Sequence, residues 1–513
     1  MRATELLKII QPIHQFGAYE GEIRRLMLDS RAVCKNDVFI ALKGTVSDGH
    51  KYINNAIRKG ARVIITEQIP DEFNENRTPA RPAVADKLLF LQVADTRMIV
   101  GELAQAFAGH PAKTMKMIGV TGTNGKTTVS TLVYQVLQSL GYNSGLIGTV
   151  EIRIGDRVTT SRLTTPDAVR LAEILGTMAE SDTAYAVMEV SSHALEQHRV
   201  GGIRFDVAAF TNLSQDHLDY HHDMDSYINA KKRLFESLDS DAIAIINRDD
   251  PVSHNITEGC RAEIWKFGFR DDRDFRILDE GSDGMVLDLD GTIVSTPLAG
   301  RYNAYNIAQA YLICLAFGFT KSSVAGALCE ASGAPGRMER VEAASESVPA
   351  VFVDYAHTPD ALENVLKTLH TVRREGQPLH VVFGCGGDRD RAKRPIMGRI
   401  ADTYADVITL TSDNPRTEKP EDIIRDIRKG VVRNDEIFVE PNRRKAIRSA
   451  ILEADTRTIV LLAGKGHETY QEVHGRRNKF DDREIAGKAL NEWIARRTDK
   501  KNHRSRNSEK EVC

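Results

Sequence analysis

The sequence predicts an α/β protein of three domains: a small α/β domain, then a doubly wound, largely parallel sheet carrying a phosphate loop, then a second open α/β sheet. Three observations predict it. An apolar strand, a glycine-punctuated turn and an amphipathic helix follow one another from Met115 to Gly141. Strand and helix patterns alternate on both sides of that unit, which argues parallel sheets covered by helices. The chain of 513 residues also exceeds one core, since an ordinary domain holds about 150 residues.

The first hundred or so residues mix helical patterns with short strands, Val38 to Leu42 and Ala61 to Glu67. Between them, Asp29-Ser30-Arg31 and Ser47-Asp48-Gly49-His50 form polar, turn-like clusters that suit ordinary loops as well as a ligand site. The proline-bearing stretch Ala108 to Ala112 sets a boundary, giving domains at 1–110 and 111–340.

The central unit follows. In its helix, Val129, Leu132, Val133, Val136, Leu137 and Leu140 form one apolar stripe at the 3.6-residue period, and Gly141 stands where the helix should stop. Gly122, Thr123, Asn124, Gly125, Lys126, Thr127 and Thr128 therefore sit at a helix N-terminus. There, backbone N–H groups and the helix dipole favour an anion, Lys126 reaches β and γ phosphates, and the Thr127 hydroxyl suits Mg²⁺. The register is irregular, because a strict phosphate loop would need glycine at Val120.

Ligands of such sheets gather at the carboxyl ends of strands. Four polar clusters lie where those ends fall: Ser161–Ala168, Ala186–Val200, Phe210–His221 and Tyr227–Glu236. Glu189 and His217 stand where a metal ion beside a nucleotide would want them, although each also suits a satisfied polar loop. Lys231 and Lys232 open an amphipathic helix in this reading, either as functional groups or as a solvated face. Asn303 and Asn306 lie one helical turn apart, placed to read an adenine edge or to cap the helix. From 341 to 497, four strands each end in a polar, glycine- or proline-bearing loop, and 498–513 is polar and expected to be disordered.

Composition excludes several classes. Hydrophobic residues make 41% and charged residues 27% of the chain, and 69 basic against 72 acidic side chains leave a net charge of −3, which recruits neither nucleic acid nor anionic membrane. No apolar run approaches the ~18 residues of a membrane span and the N-terminus lacks signal-peptide regions, so a cytoplasmic protein is expected. Cys34, Cys260, Cys314, Cys329, Cys385 and Cys513 show no paired spacing for zinc or a disulfide framework.

The motifs, taken together and in order, resemble the Mur ligase family over nearly the whole chain. They are TGTNGKTT, MEVSSHAL, TNLSQDHLDYH, NAKKRLF, GRYNAYNIAQA, GRMERV, VDYAHTPDAL and GCGGDRDRAKRPIM. DNPR (Asp413 to Arg416) and GKGHE (Gly464 to Glu468) point within the family to members that add meso-2,6-diaminopimelate to UDP-N-acetylmuramoyl-L-alanyl-D-glutamate. The resemblance implies a UDP-substrate domain, a central P-loop ATPase-type domain and a Rossmann-like amino-acid domain. It implies that ATP phosphorylates the D-glutamyl carboxylate and that an amine attacks the acyl phosphate, in cytoplasmic peptidoglycan precursor synthesis. It further implies two Mg²⁺ ions, held by Thr127, Glu189, His217 and a carbamylated Lys231, with Lys126 as the phosphate-neutralising residue. Asn306, Arg337, Asp354 and His357 would contact the nucleotide. Ser30, Thr164, Thr165, Ser191, Gln197 and Arg199 would contact the UDP-muramoyl peptide, and Arg389, Asp413, Asn414, Pro415, Arg416, Gly464 and Glu468 the diaminopimelate. A monomer acting on small molecules is the expectation. The alternatives are L-lysine as the added amino acid, a folylpolyglutamate synthetase-like ligase, and a silent nucleotide-binding regulator.

Overall fold

The computed structural model describes the chain apart from residues 45–46, 74–87, 162, 271–273, 346–347, 434 and 509–513. It packs as two compact units, Met1–Arg270 with Gln309–Phe319, and Asp271–Ala308 with Thr320–Cys513.

The first unit holds two sheets. The smaller runs His14–Gly17, Leu89–Gln92, Val63–Thr66, Val38–Ile40 and Leu26–Met27, antiparallel at its first pair and parallel beyond. The larger runs Glu263–Phe267, Ile243–Asn247, Val207–Phe210, Lys116–Thr121, Tyr185–Glu189 and Ser144–Ile147, all parallel, then turns antiparallel at Glu151–Ile154 and Arg157–Thr160. Lys116–Thr121 lies in the middle and is buried on both faces after its first residue, as a helix-covered parallel strand should be. Its carboxyl end feeds the helix Lys126–Ser139, in which Val129, Leu132, Val133, Val136 and Leu137 are fully buried. Gly141, at φ 83°, lies just past the end of that helix.

The second unit contains a sheet ordered Glu339–Arg340, Ala350–Asp354, Ile459–Ala463, Leu379–Phe383, Val407–Leu410 and Ile437–Val439, parallel except at its first pair. The last long strand, Ile459–Ala463, is inserted between the first two, so the loop at Gly464 opens between theirs. Ile437–Val439 was not foreseen, nor was an antiparallel meander of Phe275–Gly281, Gly284–Leu289 and Thr292–Thr296. The second meander turn is Asp290-Gly291, with φ of 51° and 76°, the positive pair that a two-residue hairpin turn requires.

From Thr498, where the sequence suggested a disordered tail, the helical backbone continues. The helix Asp482–Ser508 runs through that stretch as far as Ser508, and 509–513 lie outside the described residues. Extending a helix adds one hydrogen bond for each residue fixed, and the segment contains neither glycine nor proline to stop it. Lys231 and Lys232 likewise lie well inside the helix Met224–Glu236 rather than opening it. Among the described residues, no helix is long and apolar enough to cross a membrane.

His380, in the core of the second sheet, is 6% exposed and shares a 2.8 Å hydrogen bond with the Thr409 hydroxyl. Burial pushes its imidazole from the usual 6.5 down to about 4. The unfolded chain therefore binds a proton below pH 6.5 that the folded chain refuses until about pH 4. Its contribution to stability is complete above pH 6.5 and is lost as pH falls through that window. Replacing it by His380→Gln should flatten the fall of the thermal midpoint between pH 7 and 4.5; an unchanged pH slope would show that His380 does not carry it.

Candidate functional site

In the first unit the phosphate loop is a braced turn. Gly122 has φ 145°, and a Cβ there would lie 1.9 Å from Thr211 Oγ1, so only glycine fits against the neighbouring strand end. Thr123 N–H donates to Asn212 O (2.8 Å), Asn124 N–H to Asn212 Oδ1 (3.0 Å) and Thr211 Oγ1 to Asn124 O (2.6 Å). The loop is thus tied on one side to TNLS at the end of Val207–Phe210. Lys126 Nζ donates to the carbonyls of Gly122 (2.9 Å) and Thr123 (2.8 Å).

A second lysine reaches the same loop. Lys231 is 1% exposed; its Nζ donates to Gly122 O at 2.8 Å and lies 4.5 Å from the centre of the Tyr227 ring. Burial, and secondarily the charge of Lys126, hold its amine well below the usual lysine range, so the neutral form is favoured. Tyr227 shares a 3.1 Å hydrogen bond with Thr123 Oγ1, and burial raises its phenol to about 12. Lys232 instead pairs with Glu258 at 2.7 Å at the surface.

Glu189 ends the strand Tyr185–Glu189 and is fully buried. It accepts from Thr127 Oγ1 (3.1 Å), Thr149 N–H (2.7 Å) and Thr149 Oγ1 (3.0 Å). Among the described residues, no basic side chain forms an ion pair with it. A buried carboxylate bonded only by neutral donors beside a threonine hydroxyl is a hard-oxygen site, and it fits Mg²⁺. Hydroxyls continue outward: Thr164 Oγ1 lies 3.0 Å from Thr149 Oγ1 and donates to it, since the one Thr149 hydroxyl proton goes to Glu189; Thr165 Oγ1 donates to Glu189 O (2.8 Å), and Ser191 N–H to Thr165 Oγ1 (3.0 Å). Arg199 donates to Thr165 O (2.8 Å) and grips Gln197 Oε1 (2.7 and 3.1 Å), with its guanidinium lowered by burial. His217, expected near a second metal, is half-exposed at φ 55°, 3.5 Å from Asp216 and edge-on to the rings of His193 and Tyr227. Ser30 is buried and accepts from Asn55 Nδ2 (3.1 Å).

The second unit collects its own polar groups at the carboxyl ends of its parallel strands. Asp354 accepts the N–H groups of Met338 (2.7 Å) and Ala356 (2.8 Å), and burial raises its carboxyl. Arg337 stacks over Tyr355 at 5.0 Å, and His357, its imidazole lowered by burial, bonds Tyr355 O (2.8 Å). Asn306 donates to Asn303 Oδ1 (3.0 Å) and Asn303 to Ala299 O (2.8 Å), so of the pair it is Asn303 that satisfies backbone. Arg416, at φ 51°, donates to Gly387 O (2.8 Å) and lies 3.6 Å from Glu472. Asn414 Nδ2 donates to Glu468 Oε2 (2.9 Å), and Gly464, at φ 113°, brings its backbone beside Asp413. Pro415 is buried next to them, whereas Arg389 is exposed.

Sequence reasoning missed Thr149, which grips both oxygens of Glu189, and Asn212, which braces the phosphate loop. No motif marks Thr149. It also passed over Lys465, although that residue lies inside the quoted GKGHE string and is 0% exposed.

Three family models match successive parts of the chain. The Mur ligase middle domain matches residues 120–314, the Mur ligase glutamate ligase domain 336–466, and the Mur ligase family catalytic domain 22–108. The chain is similar to a UDP-N-acetylmuramoyl-L-alanyl-D-glutamate--2,6-diaminopimelate ligase of Phocaeicola vulgatus, 39% identical over 94% of this chain and 98% of that protein. A protein of the same name from Geobacillus thermodenitrificans is 42% identical over 95% and 99%. A solved structure of a ligase so named superposes with a TM-score of 0.68 at 33% identity, covering 94% of this chain and 98% of that one.

The phosphate loop carries its own test. In Gly122→Ala the new Cβ must displace Thr211 or strain the turn by about 1–3 kcal/mol, so affinity for ATP should fall about tenfold while the thermal midpoint moves by only a few degrees. Titration calorimetry with a non-hydrolysable ATP analogue checks it, and undiminished affinity would remove the loop from the nucleotide site.

Proposed function

The chain belongs to the Mur ligase family, and from that membership we propose that it joins meso-2,6-diaminopimelate to UDP-N-acetylmuramoyl-L-alanyl-D-glutamate in an ATP-dependent, amide-forming reaction. The observation that carries the mechanism is the pairing of Thr127 with the buried, uncompensated Glu189 at the mouth of the phosphate loop. A carboxylate is a poor acylating agent. Transfer of the γ-phosphoryl group of ATP to the D-glutamyl carboxylate makes an acyl phosphate; the amine then attacks the acyl carbon, the C–O bond breaks, the nitrogen loses a proton, and ADP and phosphate leave. Such transfers ask the protein mainly for positioning and charge neutralisation.

In this reading the loop Gly122 to Thr128 receives the phosphates through the helix dipole and those of its N–H groups that Asn212 does not take, and Lys126 turns from its loop carbonyls to the β and γ oxygens. Thr127 and Glu189 would hold Mg²⁺, which when bound would offset the charge that develops on the transferring group. His217 would serve a second ion. Thr164, Thr165, Ser191, Gln197 and Arg199 orient the muramoyl peptide, and Ser30 its uridine end. Asn306, Arg337, Asp354 and His357 keep the nucleotide role that the resemblance gives them. Arg389, Asp413, Asn414, Pro415, Arg416, Gly464 and Glu468 receive diaminopimelate. Three domains, divided near 110 and 340, serve as three ligand modules in a monomeric cytoplasmic enzyme of peptidoglycan precursor synthesis.

The buried amine of Lys231 supports the carbamate. Its neutral nitrogen attacks CO₂ and loses a proton, turning a neutral amine into a carboxylate-like anion beside the loop. Lys231→Ala should lose activity and regain part of it with formate or acetate, and the unmodified enzyme, once degassed, should respond to bicarbonate. Absence of both responses would eliminate the carbamate.

Phosphate release from ATP with the UDP-muramoyl dipeptide, with and without diaminopimelate, tests the function and separates it from a folylpolyglutamate synthetase-like ligase and from a silent regulator. It also decides the amino acid. Lysine lacks the distal carboxylate of diaminopimelate, for which the planar guanidinium of Arg416 is a paired donor. A site built around a polar substrate group rejects an analogue without it by about 10⁴-fold or more. Diaminopimelate should be used and lysine hardly at all, and Arg416→Lys should recover little of what Arg416→Ala loses. Equal kcat/KM for the two amino acids would refute the diaminopimelate assignment and leave the ligase standing.

A further inference from the structure

A fully buried cation lies beneath the proposed amino-acid pocket, and neither the sequence motifs nor the reading above gives it a task. Lys465 follows Gly464 at the end of Ile459–Ala463 and is 0% exposed. Its Nζ donates to Asn414 Oδ1 (3.0 Å) and Glu468 Oε2 (3.0 Å), reaches Asp413 Oδ1 at 3.4 Å, and lies 5.6 Å from the centre of the Tyr470 ring. All three acceptors belong to residues assigned to the amino acid.

The arrangement restricts what those acceptors can do. Asn414 is held from three directions: its Oδ1 receives both Lys465 Nζ and Glu472 N–H (2.9 Å), and its Nδ2 donates to Glu468 Oε2 (2.9 Å). Glu468 therefore commits Oε2 twice to the protein, while no protein hydrogen bond is made by Oε1 among the described residues. Asp413 and Glu468 share one ammonium, so two carboxylates stand close together without mutual repulsion. Arg416 is anchored separately, through Gly387 O and its backbone bond to Glu472 O (3.1 Å).

We propose that Lys465 is a positioning residue that sets amino-acid selectivity: it locks Glu468 through Oε2 so that Oε1 alone receives the ammonium on the far carbon of the substrate, at a fixed place relative to Arg416. The inference rests on the diaminopimelate reading above. A tetrahedral centre is distinguished from its mirror image only when its substituents meet separately fixed partners. Arg416 for the carboxylate, Glu468 Oε1 for the ammonium and the connecting chain are three such points. If Glu468 could swing, the ammonium of either configuration would find it and the choice between meso and LL isomers would weaken. Removing Lys465 also leaves Asp413 and Glu468 facing each other unneutralised, which penalises the site even for the right isomer.

The test uses the full chain with ATP and the UDP-muramoyl dipeptide, reading phosphate release against meso-diaminopimelate, LL-diaminopimelate and ATP in turn. Lys465→Met, close in volume and without charge, should raise KM for meso-diaminopimelate by at least about tenfold, the worth of one hydrogen bond to a charged group. The meso-over-LL ratio of kcat/KM should fall by a similar factor, and KM for ATP should stay within about twofold, because no ATP contact is lost. Lys465→Gln keeps a donor and should fall between. An unchanged KM and isomer ratio in Lys465→Met would overturn the proposal. So would an equal rise in both KM values, or failure of both variants to fold, since either marks a plain structural strut. Absence of phosphate release with diaminopimelate in the unmodified enzyme would overturn the ligase reading and this inference with it, whereas an active enzyme with an indifferent Lys465 overturns this inference alone.

Discussion

Two lysine amino groups converge on one carbonyl. Lys126 Nζ and Lys231 Nζ both donate to Gly122 O, at 2.9 and 2.8 Å. This contact constrains the rest of the first unit. With that carbonyl turned toward the lysines and the N–H groups of Thr123 and Asn124 taken by Asn212, the anion is left to the N–H groups of the first helical turn. The turn is possible only because Gly122 has no Cβ to strike Thr211. Thr211 is where it is because Val207–Phe210 lies beside Lys116–Thr121 in the sheet. The strand on the other flank, Tyr185–Glu189, then delivers Glu189 to Thr127. Sheet order thus places the carboxylate on one side of the loop and Thr211 to Ser214 on the other, with Lys231 reaching in from a helix.

The strand, loop and helix at Met115 to Gly141 were legible because each of their signals is local: an apolar run, glycines at a turn, a 3.6-residue stripe. The same holds for the four strand ends of the second sheet. The meander at Phe275–Thr296 was legible in part, since Asp290-Gly291 is a hairpin dipeptide, but the turn Ser282-Asp283 before it carries a weaker signal. Past Thr498 composition is uninformative, because polarity alone cannot separate a solvated helix from a disordered tail.

Burial of charge was not legible. Lys231 and Lys232 are adjacent and chemically equal in the sequence, yet one is sealed against Gly122 and the other pairs with Glu258 at the surface. The difference is a turn of about 100° around the helix axis, and it shows only once the helix is docked. Thr149 is a similar case: nothing near it in the chain announces that it holds Glu189, 40 residues away.

The second unit repeats this at larger cost. Arg443 and Asp482 are both fully buried and bonded at 2.6 and 2.9 Å, and Arg443 also donates to Ala463 O (2.9 Å) and Ser412 O (3.4 Å). Taking two such ions from water costs several kcal/mol each, so the pair is weak evidence for stability and is better understood through what it holds. It joins the residue before Gly464 to the residue before Asp413, which are the roots of the two loops that Lys465 joins at their tips. One buried cation therefore fixes where the loops leave the sheet and the other fixes how their side chains meet. An apolar core could supply the first of these functions by packing. It could not supply the second, because Asp413, Asn414 and Glu468 all present oxygen, and only a donor with several hydrogens can satisfy three oxygens from one point. That requirement makes a lysine at position 465 intelligible where a leucine would pack as well, and it explains why the cation is sealed from solvent: water at that point could bond the oxygens but could not offset the charge of two carboxylates.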